Sequence, residues 1–208
     1  MLRISFVMCA TMAVVLAGGS AHAAITTWDI ANDGDGAIDC TASPFSTSLW
    51  NPTDQAYEIT IVGNQYWGPG HMVGDIATNT IEDPTMKIRN IIDNAFDYEF
   101  DWTGYLVSIS MNNSFTISNA VVNTPGNWAS PVVTQPTLVG GKYVGSVSYT
   151  GGTPVGQDET LDFGYWISFS GKTAYNFCQE MTPVPEPATM SLLLAGLGAA
   201  CLRKHRQA

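Results

Sequence analysis

Thr160-Leu161-Asp162-Phe163-Gly164-Tyr165-Trp166-Ile167-Ser168-Phe169 places apolar side chains at 161, 163, 165, 167 and 169, with polar or small residues between them and Trp166 as the exception. A period of two is strand geometry, because successive side chains of a strand point to opposite faces; a helix needs apolar residues three and four apart. The stretch therefore predicts a half-buried strand with five inward positions. The same alternation recurs in Tyr105, Val107, Ile109 and Met111 around Ser108 and Ser110. It recurs again in Tyr57, Ile59 and Ile61 around Glu58 and Thr60, and in Tyr143, Val147 and Tyr149 around Ser146 and Ser148. Residues 25–30, 86–92 and 115–122 are further strand candidates. Turn signals punctuate them: Asp33-Gly34-Asp35-Gly36, Gly68-Pro69-Gly70, Pro125-Gly126-Asn127, Gly140-Gly141 and Gly151-Gly152. Short alternating strands with such punctuation, no internal repeat, and no helical period outside two terminal apolar runs predict an all-β domain, a β-sandwich of Ig-like or jelly-roll type.

The two ends read differently from this body. Arg3 precedes an apolar run over residues 4–18 and small residues ending in Ala21-His22-Ala23. That order predicts a secretory signal peptide over residues 1–23, cleaved at a site marked by Ala21 and Ala23. The alternative, a membrane anchor, needs a run nearer about 20 residues. Cys9 follows Phe6-Val7-Met8 inside the apolar run and lacks the small-residue setting of a lipidated cysteine.

At the other end, Pro183-Val184-Pro185-Glu186-Pro187 leads into an apolar stretch over residues 188–202 and then Arg203-Lys204-His205-Arg206. Prolines favour an extended approach. Leu192 to Leu194 and Leu197 favour lipid, and Arg203, Lys204 and Arg206 form a basic stop that stays on the cytoplasmic side. As a helix the stretch reaches roughly 22 Å, short of a hydrocarbon core of about 30 Å, so it suits a temporary hold better than a permanent anchor. The order Val184-Pro185-Glu186-Pro187, short Leu/Gly/Ala segment, basic end resembles the PEP-CTERM sorting signal of bacterial exported proteins, which exosortases process. An ordinary tail anchor behind a Pro-rich linker is the alternative. The resemblance implies that residues 183–208 are a sorting signal recognised at Pro185-Glu186-Pro187 and cleaved at or near it. It implies as partners the secretion machinery, an exosortase and, transiently, the inner membrane. The implied destination is the cell surface or the extracellular space.

Between the ends, residues 24–182 form one domain's worth of chain, enough to bury a core. Residues 24–183 hold seventeen acidic and four basic side chains, so 4 − 17 gives a formal charge of −13. Such a surface repels nucleic acid and anionic polymers and leaves basic partners, divalent cations and neutral glycans open. Cys40 and Cys178 are the cysteines left after removal of both ends; in an oxidising compartment they are expected to form a disulfide tying the domain's termini together, against the alternative of two separate thiols. More loosely, the stretch from Asp83-Pro84 through Asn94 and Trp102-Thr103-Gly104-Tyr105 to Met111 resembles the Ig-like modules of other exported, anchor-bearing proteins. That likeness bears on fold alone.

Chemistry is sparse in this domain. His71 is its one histidine, in the turn Gly68-Pro69-Gly70-His71, with no G-x-S-x-G or H-E-x-x-H motif in the chain, and reads as a surface loop residue. Carboxylates are too many for any glycosidase pair to stand out. Asn32-Asp33-Gly34-Asp35-Gly36-Ala37-Ile38-Asp39 offers Asp33, Asp35 and Asp39 as calcium candidates, although Asp and Gly are also what tight turns use. Alignment on Gly36 puts Ala31 and Ala42 at the first and last ligand positions of an EF-hand, so that motif is absent. Tyr66 and Trp67, in a Gly/Pro loop, offer a stacking platform for sugar rings. The expected function is therefore a non-enzymatic cell-envelope or extracellular-matrix protein with no cofactor, calcium being the candidate otherwise. The alternative is a secreted glycan-binding module whose partner is an extracellular polysaccharide, and an extracellular hydrolase stands third.

Overall fold

The computed structural model describes residues 24–44, 50–79, 84–96 and 100–185. The expected signal peptide and the expected C-terminal helix lie outside the described residues. Within them the chain forms twelve strands: β1 (Ile25–Asn32), β2 (Ile38–Ala42), β3 (Trp50–Asn51), β4 (Ala56–Gln65), β5 (Gly70–Thr78), β6 (Thr85–Asn94), β7 (Trp102–Met111), β8 (Phe115–Thr124), β9 (Val132–Val139), β10 (Lys142–Val155), β11 (Thr160–Phe169) and β12 (Ala174–Pro185). The all-β class is the one the alternation predicts, and no helix occurs among the described residues.

All the strands belong to one sheet, ordered β8-β11-β6-β4-β2-β1-β5-β12-β7-β10-β9, with β3 paired beside β4. Neighbours are antiparallel except β4 and β6, which run parallel with Ile59 opposite Ile88. The two walls that a sandwich would stack are here joined along their edges, and the sheet curls until it is nearly closed, like a barrel. Gly140 and Gly141, both at positive φ, make the two-residue turn between β9 and β10. Positive φ at both central residues matches the right-handed strand twist, which is why Gly-Gly suits a tight hairpin. Gly151-Gly152, expected as a turn, instead lies within β10, where the register against β7 shifts between Thr150 and Val155.

Every inward position read from the sequence in β11 is buried: Leu161, Phe163, Tyr165, Ile167 and Phe169 are at most 1% exposed. They meet Tyr105, Val107, Ile109 and Met111 of β7 and Ile59 and Ile61 of β4 in one core. An aromatic chain crosses it, with ring centroids 5.3 Å apart for Trp102–Tyr105, 5.1 Å for Tyr105–Phe163 and 4.9 Å for Tyr149–Phe163. Such tilted pairs add about 0.5–1.5 kcal/mol each beyond their buried area.

Four amides also lie inside: Gln65, Asn90, Asn94 and Gln179 are each 0% exposed. The Tyr105 hydroxyl donates to Gln65 Oε1, and Gln65 Nε2 donates to the Met181 carbonyl at 2.9 Å. The Tyr165 hydroxyl donates to Gln179 Oε1, while Gln179 Nε2 donates to Asn90 Oδ1 at 2.8 Å. Asn94 Nδ2 donates to the carbonyls of Phe100 and Val155. These bonds cross the interior between β4, β7 and β12, and between β11, β12 and β6. A buried amide without partners would cost about 1–3 kcal/mol, so position and partner are fixed together.

The terminal strands of the sheet, β8 and β9, meet at the seam through a side chain. Gln135 of β9 accepts from the Ile117 N–H at 3.1 Å and donates to the Ile117 carbonyl at 2.6 Å, imitating a strand neighbour. Pro136, beside it, has no N–H to offer. Register against β10 shifts between Val144 and Ser146, opposite Gln135 and Pro136. Gly145 makes this bulge fit, since a Cβ there would lie 2.8 Å from Pro136 Cγ and 2.9 Å from Ile117 Cδ1. Gln135→Ala is expected to lower unfolding free energy by about 1–2 kcal/mol through the loss of two hydrogen bonds, with Gln135→Glu intermediate because it keeps only the acceptor. Gly145→Ala is expected to destabilise as well. Urea titrations of the variants measure this, and an unchanged midpoint for both Gln135→Ala and Gly145→Ala would refute the seam's role.

Candidate functional site

Two places carry the sequence-predicted functional residues: the C-terminal end of β12, and the turn between β1 and β2. β12 is an interior strand of the sheet, paired with β5 from Ala174 to Met181 and with β7 from Phe177 to Pro185. Beyond Met181 it has only β7 as neighbour, and it is there that Pro183 and Pro185 occur. Proline cannot donate to a ladder, so it is tolerated where one side of a strand is unpaired. Thr103 Oγ1 of β7 donates toward the carbonyls of Val184 at 3.3 Å and Pro185 at 3.4 Å. The strand thus runs three residues past the expected domain boundary at 182. Val184 and Pro185 of the sorting motif belong to the sheet; Glu186, Pro187 and the basic residues Arg203, Lys204 and Arg206 lie outside the described residues, as do Ala21 and Ala23.

In the β1–β2 turn, the Ala37 N–H donates to Asp35 Oδ1 at 2.8 Å and the Asp35 N–H to Asp33 Oδ1 at 3.2 Å. Antiparallel pairing of β1 with β5 and of β5 with β12 then delivers His71, directly opposite Glu180. His71 Nε2 is 3.3 Å from Glu180 Oε2, and Nδ1 is 3.2 Å from Asp33 Oδ2 and 4.0 Å from Asp35 Oδ2. The Nδ1 atom is enclosed and makes no aligned hydrogen bond, so its proximity to Asp33 counts as attraction only when the imidazole is protonated. His71 is therefore not an isolated loop residue: it is half-buried on β5, ringed by three carboxylates. The ligand atoms of Asp33, Asp35 and His71 lie within 4.8 Å of one another. An imidazole beside two carboxylates is a donor set for a divalent transition ion, whereas calcium takes oxygen alone. Asp39, the third calcium candidate, sits exposed on β2 outside that group.

Tyr66 and Trp67 are exposed by 39% and 53%. The rim of the Trp67 ring leans on the acidic turn, where a Cβ at Gly36 would meet its Cη2 at 3.3 Å. Glu180 escapes a sequence reading because the polar Gln179 interrupts the apolar alternation of Tyr175, Phe177 and Met181 around it.

The expected Cys40–Cys178 disulfide is corrected. Both are free thiols. Cys40 on β2 faces the core, while Cys178 lies on β12 between the buried Phe177 and Gln179 and so points to the other face. β1 and β5 lie between β2 and β12. Three strand spacings come to about 14 Å along the sheet, against a limit of roughly 7 Å between bridged Cα atoms.

The PEP-CTERM protein-sorting motif matches residues 183–207. No curated protein and no solved structure matches the chain. The chain thus carries a PEP-CTERM protein-sorting motif at residues 183–207. Its motif marks it as exported, surface-directed and targeted to an exosortase. Among the described residues no helix is long and apolar enough to cross a membrane.

Burial, with Asp39 and Asp93 nearby, pushes the Cys40 thiol up from 9.0 to about 12. The folded thiol stays protonated where that of the unfolded chain ionises, so its contribution to stability is intact below pH 9 and is lost as pH rises from there toward 12. Peptide mapping after alkylation at pH 8 is expected to find Cys178 modified, Cys40 unmodified until denaturant is added, and no Cys40–Cys178 linked peptide. A linked peptide would refute the arrangement.

Proposed function

We propose that this protein is a non-enzymatic component of the bacterial cell envelope or extracellular matrix, released to its destination by exosortase cleavage at or near Pro185-Glu186-Pro187. The observation that carries it is the continuity of β12 with the sorting motif, whose first three residues, Pro183 to Pro185, are the last of that strand. The absence of enzymatic activity is supported by the site chemistry. The groups placed against the domain's histidine among the described residues are carboxylates, not a hydroxyl or thiol nucleophile. A second reading, a glycan-binding module with an extracellular polysaccharide as partner, is favoured by the exposure of Tyr66 and Trp67. Mass spectrometry of the protein from its own cells is expected to show an N-terminus at Ala24 and a C-terminus within or just after the Pro-rich motif. A released protein still ending in Ala208 would overturn exosortase processing.

A further inference from the structure

A second surface lies on the outward faces of β4, β6, β11 and β8. Gly164 of β11 pairs with Arg89 of β6 on one side and Val121 of β8 on the other. Having no side chain, it floors a hollow of about 280 Å³. Along β11, Trp166 stands two residues further on the same face, half exposed, and Val121, 42% exposed, walls the β8 side. Arg89, Asn123 and Glu58 supply the polar lining.

The polar groups are held in place from behind. Asp162, 8% exposed, accepts from Arg89 Nε at 3.1 Å and Nη2 at 2.6 Å, and from Asn123 Nδ2 at 2.9 Å. Burial raises its carboxyl, but the hydrogen bonds from Arg89 and Asn123 and the charges of Arg89 and Lys87 outweigh that and hold it below its ordinary value. Two of the five guanidinium donors are thereby engaged and three remain, while Asn123 keeps its Oδ1 as an acceptor. Lys87 is paired with Asp54 at 3.6 Å and Glu58 at 3.3 Å. Two cations against Asp54, Glu58 and Asp162 make 2 − 3, a net charge of −1, within a domain of −13. That balance disfavours an anionic ligand, and the two guarding cations disfavour a cationic one.

We infer that this hollow is a subsite for one neutral sugar unit of a glycan, whose apolar ring face stacks on Trp166 while its hydroxyls exchange hydrogen bonds with Arg89, Asn123 and Glu58. Its volume lies at the lower limit of small-ligand sites, about 300–1,000 Å³, which suits a single ring. Ligand class follows the glycan-binding reading above, but the place is new and separate from Tyr66 and Trp67.

The test is affinity electrophoresis of the full-length chain in detergent through gels containing a neutral glucan, mannan or galactan, or the acidic polymer alginate. Retardation by at least one neutral polymer and not by alginate is expected. Trp166→Ala should weaken it at least tenfold. So should Val121→Trp, which fills the hollow from the solvent side and spares the core. Tyr66→Ala and Trp67→Ala should leave it unchanged. Retardation by none of the neutral polymers overturns glycan binding altogether. Retardation abolished by Trp67→Ala yet unaffected by Val121→Trp and Trp166→Ala overturns this subsite alone, and retention by alginate overturns the neutral class.

Discussion

A sheet that curls back on itself must fill its concave face and bring its last strand to its first. In this protein the first demand is met by apolar and aromatic side chains from every long strand, least of all from β9, where Val133 packs at the edge of the core while Val132, Leu138 and Val139 are each at least 60% exposed. The second is met by Gln135, because Pro136 and the bulge opposite Gly145 leave β9 unable to run a regular ladder against β8. One side-chain amide stands in for a backbone neighbour, and the glycine opposite clears the space. Around the rest of the sheet, ordinary strand pairing does this work; at the seam it rests on these few residues.

Filling the interior with hydrocarbon alone would leave strand order weakly specified, since alternating strands of similar composition have many acceptable neighbours. The buried amides narrow the choice. Gln65 reaches Tyr105 of β7 and the Met181 carbonyl of β12, and Gln179 reaches Tyr165 of β11 and Asn90 of β6. Any alternative order strands these groups without partners at about 1–3 kcal/mol apiece. Specificity comes from that penalty more than from the net worth of each bond.

Legibility in the sequence followed the contrast between the two faces of a strand. β11, β7 and β4 have one dry and one wet face, and their alternation identified them. β9 is exposed along most of its length, with only Val133 and Pro136 half-buried, and carries no period. The start of β5 read as a turn because of Gly68-Pro69-Gly70; further along the strand, Gly74 is required because a Cβ would fall 1.6 Å from the Asp29 carbonyl oxygen, a close approach that no local pattern announces. β12 was masked by Gln179, an inward residue that reads as surface. The sorting motif was legible because it is a contiguous string. The hollow at Gly164 and the ring of carboxylates around His71 were not, because each joins residues from strands distant in sequence, and strand order is what composition leaves open. The same ignorance of strand order allowed the two cysteines to be paired.

The junction between barrel and signal has a consequence for how the chain is handled. Only Glu186 and Pro187 separate the last strand residue from the apolar stretch that starts at Ala188, three residue steps that reach at most about 11 Å even when fully extended. If that stretch is held in lipid, the end of the barrel sits against the headgroups and the processing enzyme must work in that narrow gap. A long flexible linker would let a sorting enzyme ignore the fold of its cargo. Here Thr103 and the β7 ladder hold Val184 and Pro185 in place, so folding fixes where the motif is presented. Cleavage after Pro185 leaves β12 intact, because every residue it contributes to the sheet lies upstream of the cut. On the proposed processing, the closed core would therefore outlast the loss of everything beyond Pro185.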